Sequence, residues 1–502
     1  MIPRRLLFAA ATLGLLLLLP ANFCFAQEAA RTWTDSTGTF KVTAKLISID
    51  DGVAKLEKED GTTVDVPLSK LSSADRRIAA RWKKEAGAAN DPPSDAPAGD
   101  ATGQAAKPGE WPTWRGPNRD GISPETGLLS EWPAEGPPLL WTATGIGTGY
   151  GSVAVANGKI YVGGRENGEE SLHALDASSG NPLWSTRLGP GSREKGTNGT
   201  PTVHDGRVFA MSFEGDLVAA DANSGDEIWR KSFARDFGGR MMSGWGYSES
   251  PLADGDRLIC TPGGDRAMMV ALDQATGATL WATPMPPGGT RGKDGAGYSS
   301  IAISNAGGVK QYVQLVGRGV IGVSAQGKLL WGYDGVANST ANVPTPIVSG
   351  DYVFCSSGYD DGGSALLQIG RGGVRPVYTK RPNEVQNHHG GMILLDGKIY
   401  MGHGHNNGLP LCLDMLSGRV LWGPERGAGG GSAALAYADG HLYFRYEDGV
   451  MALVEASPQG YRLKGEFRER VRDRAWPQPV IAGKKLYLRD QDTLRCYDIA
   501  AK

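Results

Sequence analysis

Four of the seven histidines crowd into one stretch, at His388, His389, His403 and His405, with Asn387, Asn406 and Asn407 among them. Imidazole nitrogens ligate Zn²⁺ and Cu²⁺. Residues two apart on a strand share a face, so His403 and His405 are the candidate metal pair. No cysteine or carboxylate stands at a spacing that completes a metal motif. The alternative role for these rings is hydrogen bonding along a polar lining. Asn387, His388 and His389 open a strand-like run and are candidate ligand-binding residues. A second candidate group is Trp245, Tyr247 and Glu249, in Trp245-Gly246-Tyr247-Ser248-Glu249-Ser250. Ring faces beside a carboxylate suit a sugar or a peptide. The alternative is that the rings pack internally and Glu249 pairs with a nearby arginine. Gly429-Gly430-Gly431 lacks the Lys-Ser/Thr of a phosphate loop and reads as a turn. No set of residues forms a complete catalytic constellation.

These residues sit in a chain of 502 with a net charge of -2. That balance gives no electrostatic reason to expect nucleic acid or anionic lipid as a partner. The 73 glycines lack a Gly-X-Y period and imply many tight turns. Arg4 and Arg5, the apolar run Leu6 to Pro20 and the small residues from Ala21 to Ala26 make a secretory signal over residues 1–26. The other reading of this run is a membrane anchor. Phe23 precedes Cys24 where a lipoprotein cleavage box wants a small residue. No later segment is apolar enough to span a bilayer. The expected location is therefore outside the cytoplasm: periplasmic or secreted, and envelope-associated. Export permits disulfides, yet Cys260, Cys355, Cys412 and Cys496 each lie in an apolar strand-like run and read as buried free thiols.

Residues 30–85 form one unit. Phe40 to Leu46 alternates apolar and polar, Asp51-Gly52 and Asp60-Gly61 are hairpin turns, and Val53 to Lys58 and Thr62 to Leu68 are the next strands. Ser72 followed by Asp75 starts a short helix through Trp82. Residues 86–110 are rich in Ala, Gly, Pro and Asp and read as a linker.

The rest is periodic. Leu-x-Ala-x-Asp-x-x-x-Gly followed by an apolar-Trp pair recurs: Leu172 to Gly180 into Leu183-Trp184, Leu217 to Gly225 into Ile228-Trp229, and Val270 to Gly277 into Leu280-Trp281. Degraded copies follow at Leu329-Leu330-Trp331 and at Leu411 to Asp414 into Leu421-Trp422. In this motif the Asp accepts backbone N–H bonds and the Gly supplies positive φ. The Trp places a large ring at one position per unit, to be buried between neighbours. Units begin near Gly151, Gly199, Glu249, Ser299, Val343, His388, Gly429 and Trp476. The last lacks its Leu-Trp strand, and a spare one precedes the first at Leu139-Leu140-Trp141. Joining the two closes a ring and removes exposed edges.

The repeat resembles that of the pyrroloquinoline-quinone-like (PQQ-like) propellers. Trp111-Pro112-Thr113-Trp114-Arg115-Gly116-Pro117, Gly121-Ile122-Ser123, Trp245 to Pro251 and Asn387-His388-His389-Gly390-Gly391 look like recurring words of an exported bacterial group abundant in planctomycetes. Arg31 to Asp35 with Val66-Pro67-Leu68-Ser69-Lys70-Leu71-Ser72 resembles the Sla-type homology domain 1, a Src-homology-3-like barrel that binds short peptides. The resemblance implies an all-β chain: an eight-bladed PQQ-like propeller over 111–502 behind a small barrel, with seven blades as the alternative count. Relatives of this repeat include quinoprotein alcohol dehydrogenases and the propeller lipoprotein of outer-membrane assembly. The dehydrogenases use PQQ with Ca²⁺, an Asp base and a disulfide between adjacent cysteines; this sequence has no Cys-Cys pair. The expectation is a non-catalytic envelope scaffold with protein partners and no cofactor. The alternatives are a PQQ-dependent oxidoreductase and a carbohydrate- or metal-binding propeller.

Overall fold

A computed structural model describes residues 31–37, 39–50, 52–72, 75, 76, 79, 107, 109–191, 196–359, 361–370 and 372–502. The expected signal segment and nearly all of the expected linker lie outside the described residues. Among the described residues no helix is long and apolar enough to cross a membrane. The chain divides into two compact units, residues 1–96 and 97–502.

In the smaller unit Arg31–Thr34, Lys41–Asp50, Val53–Lys58 and Thr63–Pro67 pair antiparallel in chain order. Lys41–Asp50 runs past the expected end at Leu46 because a bulge between Leu46 and Ser48 re-phases its alternation. Leu46 and Ile49, three residues apart, are thus both buried. They surround Trp33, which is 1% exposed and donates from Nε1 to Ala44 O at 3.0 Å. Arg31–Thr34, read above only as part of a family motif, is the first strand. Asp75 ties it down, accepting from Arg31 Nη2 (2.7 Å) and Thr34 N–H (2.9 Å).

The larger unit holds eight four-stranded antiparallel sheets among the described residues. Seven span residues 154–190, 202–232, 252–283, 302–333, 347–380, 387–422 and 433–468. The eighth combines three C-terminal strands, within 480–498, with Leu139–Thr144, which pairs with Thr493–Asp498. The spare N-terminal strand thus completes the last sheet.

The repeat motif explains how neighbouring sheets lock. Asp176 Oδ1 accepts the N–H groups of Ser178 (3.0 Å) and Ser179 (2.9 Å), and Gly180 follows at φ 75°. A side chain on that glycine would collide with the ring of Trp141, which belongs to the eighth sheet. The same seat recurs, with Trp184 against Gly225, Trp229 against Gly277 and Trp281 against Gly327. Each indole thus lies on the turn of the next sheet. Trp229 Nε1 donates to Gln274 O at 2.9 Å and Trp281 Nε1 to Ala325 O at 3.1 Å, satisfying the one polar atom each ring buries. In the fifth sheet Tyr378 takes the Trp place, against Gly418, with its hydroxyl on Met415 O. Middle strands such as Gln311–Val316 and Gly319–Ser324 are buried at every position, as strands covered on both faces must be.

Candidate functional site

One segment contacts the first strand of five of the eight sheets and the residues just before it in two more. Trp111 bridges Val155, Pro112 O accepts from Val203 N–H, Ile122 bridges Tyr437, and Ser123 Oγ donates to Ile481 O. Between them Arg119 donates to Ser250 O (2.8 Å), Pro251 O (3.1 Å) and Ile301 O (3.1 Å), and Arg115 to Met392 O. Both guanidiniums are fully enclosed, and burial pulls each down to about 10. Inner strands end in carbonyls with no ladder partner, and a planar five-donor cation satisfies several at once. The two guanidiniums also flank the indole of Trp114, at 5.4 and 5.6 Å from its ring.

Trp114 lines a funnel of about 560 Å³. The wall is a nearly continuous aromatic band. Trp245 packs edge-on to Tyr298 (6.0 Å) and stacks with Tyr359 (6.5 Å); Tyr359 meets His388 (4.7 Å) and His405 (4.8 Å). His388 stacks on His389 (3.8 Å), His389 meets Trp476 (4.9 Å), and Trp476 meets Tyr150 (4.8 Å). Asp473, which accepts the Tyr150 hydroxyl, and Arg474 bring one charge of each sign; Asn198, Asn406 and Gln478 add amides.

The histidines reach this wall through a distortion of their strand. Asn387 pairs with His403, but the next pair is Met392 with Met401. Residues 388–391 therefore oppose Gly402 alone and bulge out of the sheet. The bulge needs its two glycines: Gly390 (φ 90°) and Gly391 (φ 78°) are left-handed. A Cβ on Gly390 would lie 2.0 Å from Ala433 O, and one on Gly391 2.3 Å from an Arg115 nitrogen. Burial, together with the neighbouring imidazoles and Arg474, pushes His388 down to about 2 and His389 to about 3. Both rings are neutral at physiological pH.

The structure brings Trp245, His388, His389 and His405 to the funnel and leaves the other candidates elsewhere. His403 and His405 do not share a face. The strand ends at His403, and Gly404 (φ 94°) turns the chain. His403 Nδ1 accepts the Gln386 N–H, whereas His405 Nδ1 accepts the Tyr359 N–H. Asn387 is buried, donating to Gly402 O at 2.9 Å. Tyr247 packs edge-on to Phe233 and donates its hydroxyl to Pro262 O. Glu249 does not face a channel mouth. It is 2% exposed, accepts from Thr261 N–H (3.0 Å) and Gln314 Nε2 (2.9 Å), and is pushed up to about 7 chiefly by burial. Sequence reading missed Trp114, Tyr298, Tyr359 and Trp476 as funnel-lining residues, and Glu447, which lies beside His388 and His389. They come from the crossing segment and from the connections between strands of several different sheets, and no local spacing relates them.

Four-stranded units locked by a repeated Asp-x-x-x-Gly turn and aromatic seat define a PQQ-like repeat β-propeller. The comparisons with known proteins agree. Residues 132–212 and 168–424 match the family model of the outer membrane protein assembly factor BamB, and the chain belongs to that family. Residues 26–86 match SLA1 homology domain 1. The assembly factor BamB of Burkholderia pseudomallei is 33% identical over 119 residues, 22% of this chain and 27% of that protein. The counterpart in Xanthomonas campestris is 32% identical over 110 residues, 21% of this chain and 25% of that protein. The chain thus spans about a quarter of the length of these curated relatives. A 1-butanol dehydrogenase (cytochrome c) of Thauera butanivorans is 41% identical over 68 residues, 12% of this chain and 10% of that one. Among solved structures, a europium-containing methanol dehydrogenase aligns with a TM-score of 0.57 at 13% identity, covering 77% of this chain and 90% of its own. The quinohemoprotein alcohol dehydrogenase of Comamonas testosteroni gives 0.55 at 12%, with 78% and 81% covered. At such identities the likeness is one of fold.

The residues lining this funnel do not supply the adjacent-cysteine disulfide and Ca²⁺ donors that the resemblance to quinoprotein dehydrogenases implies. Cys260, Cys355, Cys412 and Cys496 are free, buried and in four different sheets, and none lines the funnel. Ca²⁺ takes six to eight oxygens. Here the charged oxygens at hand are Asp473, engaged by Tyr150, and Glu447, engaged by Arg474.

Proposed function

We propose that this chain is an exported, non-catalytic binding protein of the cell envelope. Its larger unit is a closed eight-bladed propeller that takes an extended segment of a partner protein into the funnel. Its smaller unit is a Src-homology-3-like barrel that gives a second peptide contact. The observation that carries this reading is the wall itself: a band of rings, with Trp245 40% exposed, beside one cation, one anion and several amides. Rigid aromatic surface binds at low conformational cost, and mixed polar groups satisfy a peptide backbone. Membership of an assembly-factor family supports a protein partner and an envelope location. A saccharide is the second reading, favoured by the near-parallel stack of Trp245 and Tyr359 (23° between planes), a flat surface for a sugar ring.

The test titrates the full chain, in excess EDTA, with a pool of extended hexapeptides and with a matched panel of hexasaccharides, following tryptophan fluorescence. Saturable peptide binding that Trp245→Ala weakens about tenfold, a loss of about 1.4 kcal/mol, is expected. Saturation by saccharides alone would replace this reading with the second one. Dye-linked alcohol oxidation after addition of PQQ and Ca²⁺ would overturn both.

A further inference from the structure

His388, His389 and Glu447 place one ligand atom each within 4.8 Å of one another. Two of those side chains end in a buried polar atom without a hydrogen-bond partner. His388, 4% exposed, leaves Nε2 bare, and Glu447, 9% exposed, leaves Oε1 bare. Orphaned buried polar atoms are costly, and two of them on side chains of one His-His-Glu cluster mark a place for a ligand. The opposite end of the His388 ring is already fixed: Nδ1 lies 2.8 Å from Ser432 Oγ. With Nδ1–H donating to that hydroxyl, Nε2 carries its lone pair, as second-shell partners of metal-bound histidines arrange. Arg474 engages the other Glu447 oxygen at 3.2 Å. Its side chain is 53% exposed, with the guanidinium over the Trp476 ring at 5.5 Å, so a cation at the cluster requires it to turn toward solvent.

We propose that His388, His389 and Glu447 hold a divalent transition-metal ion of the Zn²⁺ class. Two imidazoles and one carboxylate suit a borderline ion better than Ca²⁺ or Mg²⁺. His388 and His389 line the funnel, so the site lies at its wall. This site is not the His403–His405 pair that strand spacing suggests, and it does not depend on what else the funnel binds.

The full chain, stripped with EDTA and dialysed, is titrated with Zn²⁺ by calorimetry, and with Co²⁺ by visible absorption. One Zn²⁺ per chain is expected, with d–d bands on Co²⁺ addition and no heat with Ca²⁺. Glu447→Gln and His389→Gln, each checked by circular dichroism, weaken binding at least about tenfold, and Ser432→Ala weakens it less. His441→Gln, outside the funnel, leaves it unchanged. Absence of stoichiometric Zn²⁺ binding by the wild type would overturn the proposal. So would binding that persists in folded His388→Gln/His389→Gln, or that His403→Gln abolishes while Glu447→Gln does not.

Discussion

His388 and His389 are consecutive, yet their rings stack with centroids 3.8 Å apart and planes 24° from parallel. Neighbours on a regular strand point to opposite faces. The pair breaks that rule because residues 388–391 bulge from the sheet on two left-handed glycines. The bulge turns an ordinary inner strand into funnel wall.

Gly390→Ala therefore tests the wall directly. The added methyl would lie 2.0 Å from Ala433 O at φ 90°. A loss of about 2–3 kcal/mol in urea unfolding is expected, combining backbone strain with overpacking. Gly397→Ala is the control. It also has positive φ but open space around it, and it is expected to cost about 1 kcal/mol.

Arg119→Ala removes the donor shared by Ser250 O, Pro251 O and Ile301 O. Leaving buried carbonyls unsatisfied costs about 1–3 kcal/mol. The expected result is a drop of about 3 kcal/mol in stability, with amide exchange rising first in residues 111–123.

Glu249 gives a pH signature. Its carboxyl is pushed from 4.5 to about 7 in the folded protein. Stability from keeping it protonated is complete below pH 4.5 and disappears as pH rises through about 7. The wild type loses up to about 3 kcal/mol from this group across that window. His388 and His389 act oppositely: lowered to about 2 and 3, they contribute stability above pH 6.5 that is lost as pH falls toward 3. The measurement is the difference in unfolding free energy between wild type and Glu249→Gln at several pH values. It should change sharply between pH 4.5 and 7 and stay flat above pH 8.

Arg445 and Glu469 form an ion pair with neither side chain exposed, at 3.1 Å. Arg445→Ala removes the buried partner of Glu469 and leaves its carboxylate to Tyr497 and the longer Arg495 contact at 3.4 Å. A cost of about 3–5 kcal/mol is expected, and Arg445→Met with Glu469→Leu should recover most of it. Urea unfolding of the three proteins decides this.

The fold was legible because its signals are local and repeated. The Asp176-to-Gly180 motif carries turn chemistry, and the unpaired Leu139 to Trp141 strand matches a C-terminal unit that lacks one. Four of the eight candidate residues meet at the funnel. Polar and aromatic crowding marked Trp245, His388, His389 and His405. Spacing could not foresee that Gly404 separates His403 from His405, or that Glu249 turns into the interior toward Thr261. Nor could it place Trp476, Tyr359 and Glu447 beside the histidines, since tertiary packing of separate sheets alone brings them together.

The central claim is that the funnel is where this protein binds its partner. The most direct measurement compares peptide-pool affinity among wild type, Trp245→Ala and Leu183→Ala; Leu183, 48% exposed, lies on the fourth strand of the first sheet, outside the funnel. The account predicts a loss of about tenfold for Trp245→Ala and none for Leu183→Ala. Equal affinity in all three, or a loss confined to Leu183→Ala, would contradict it.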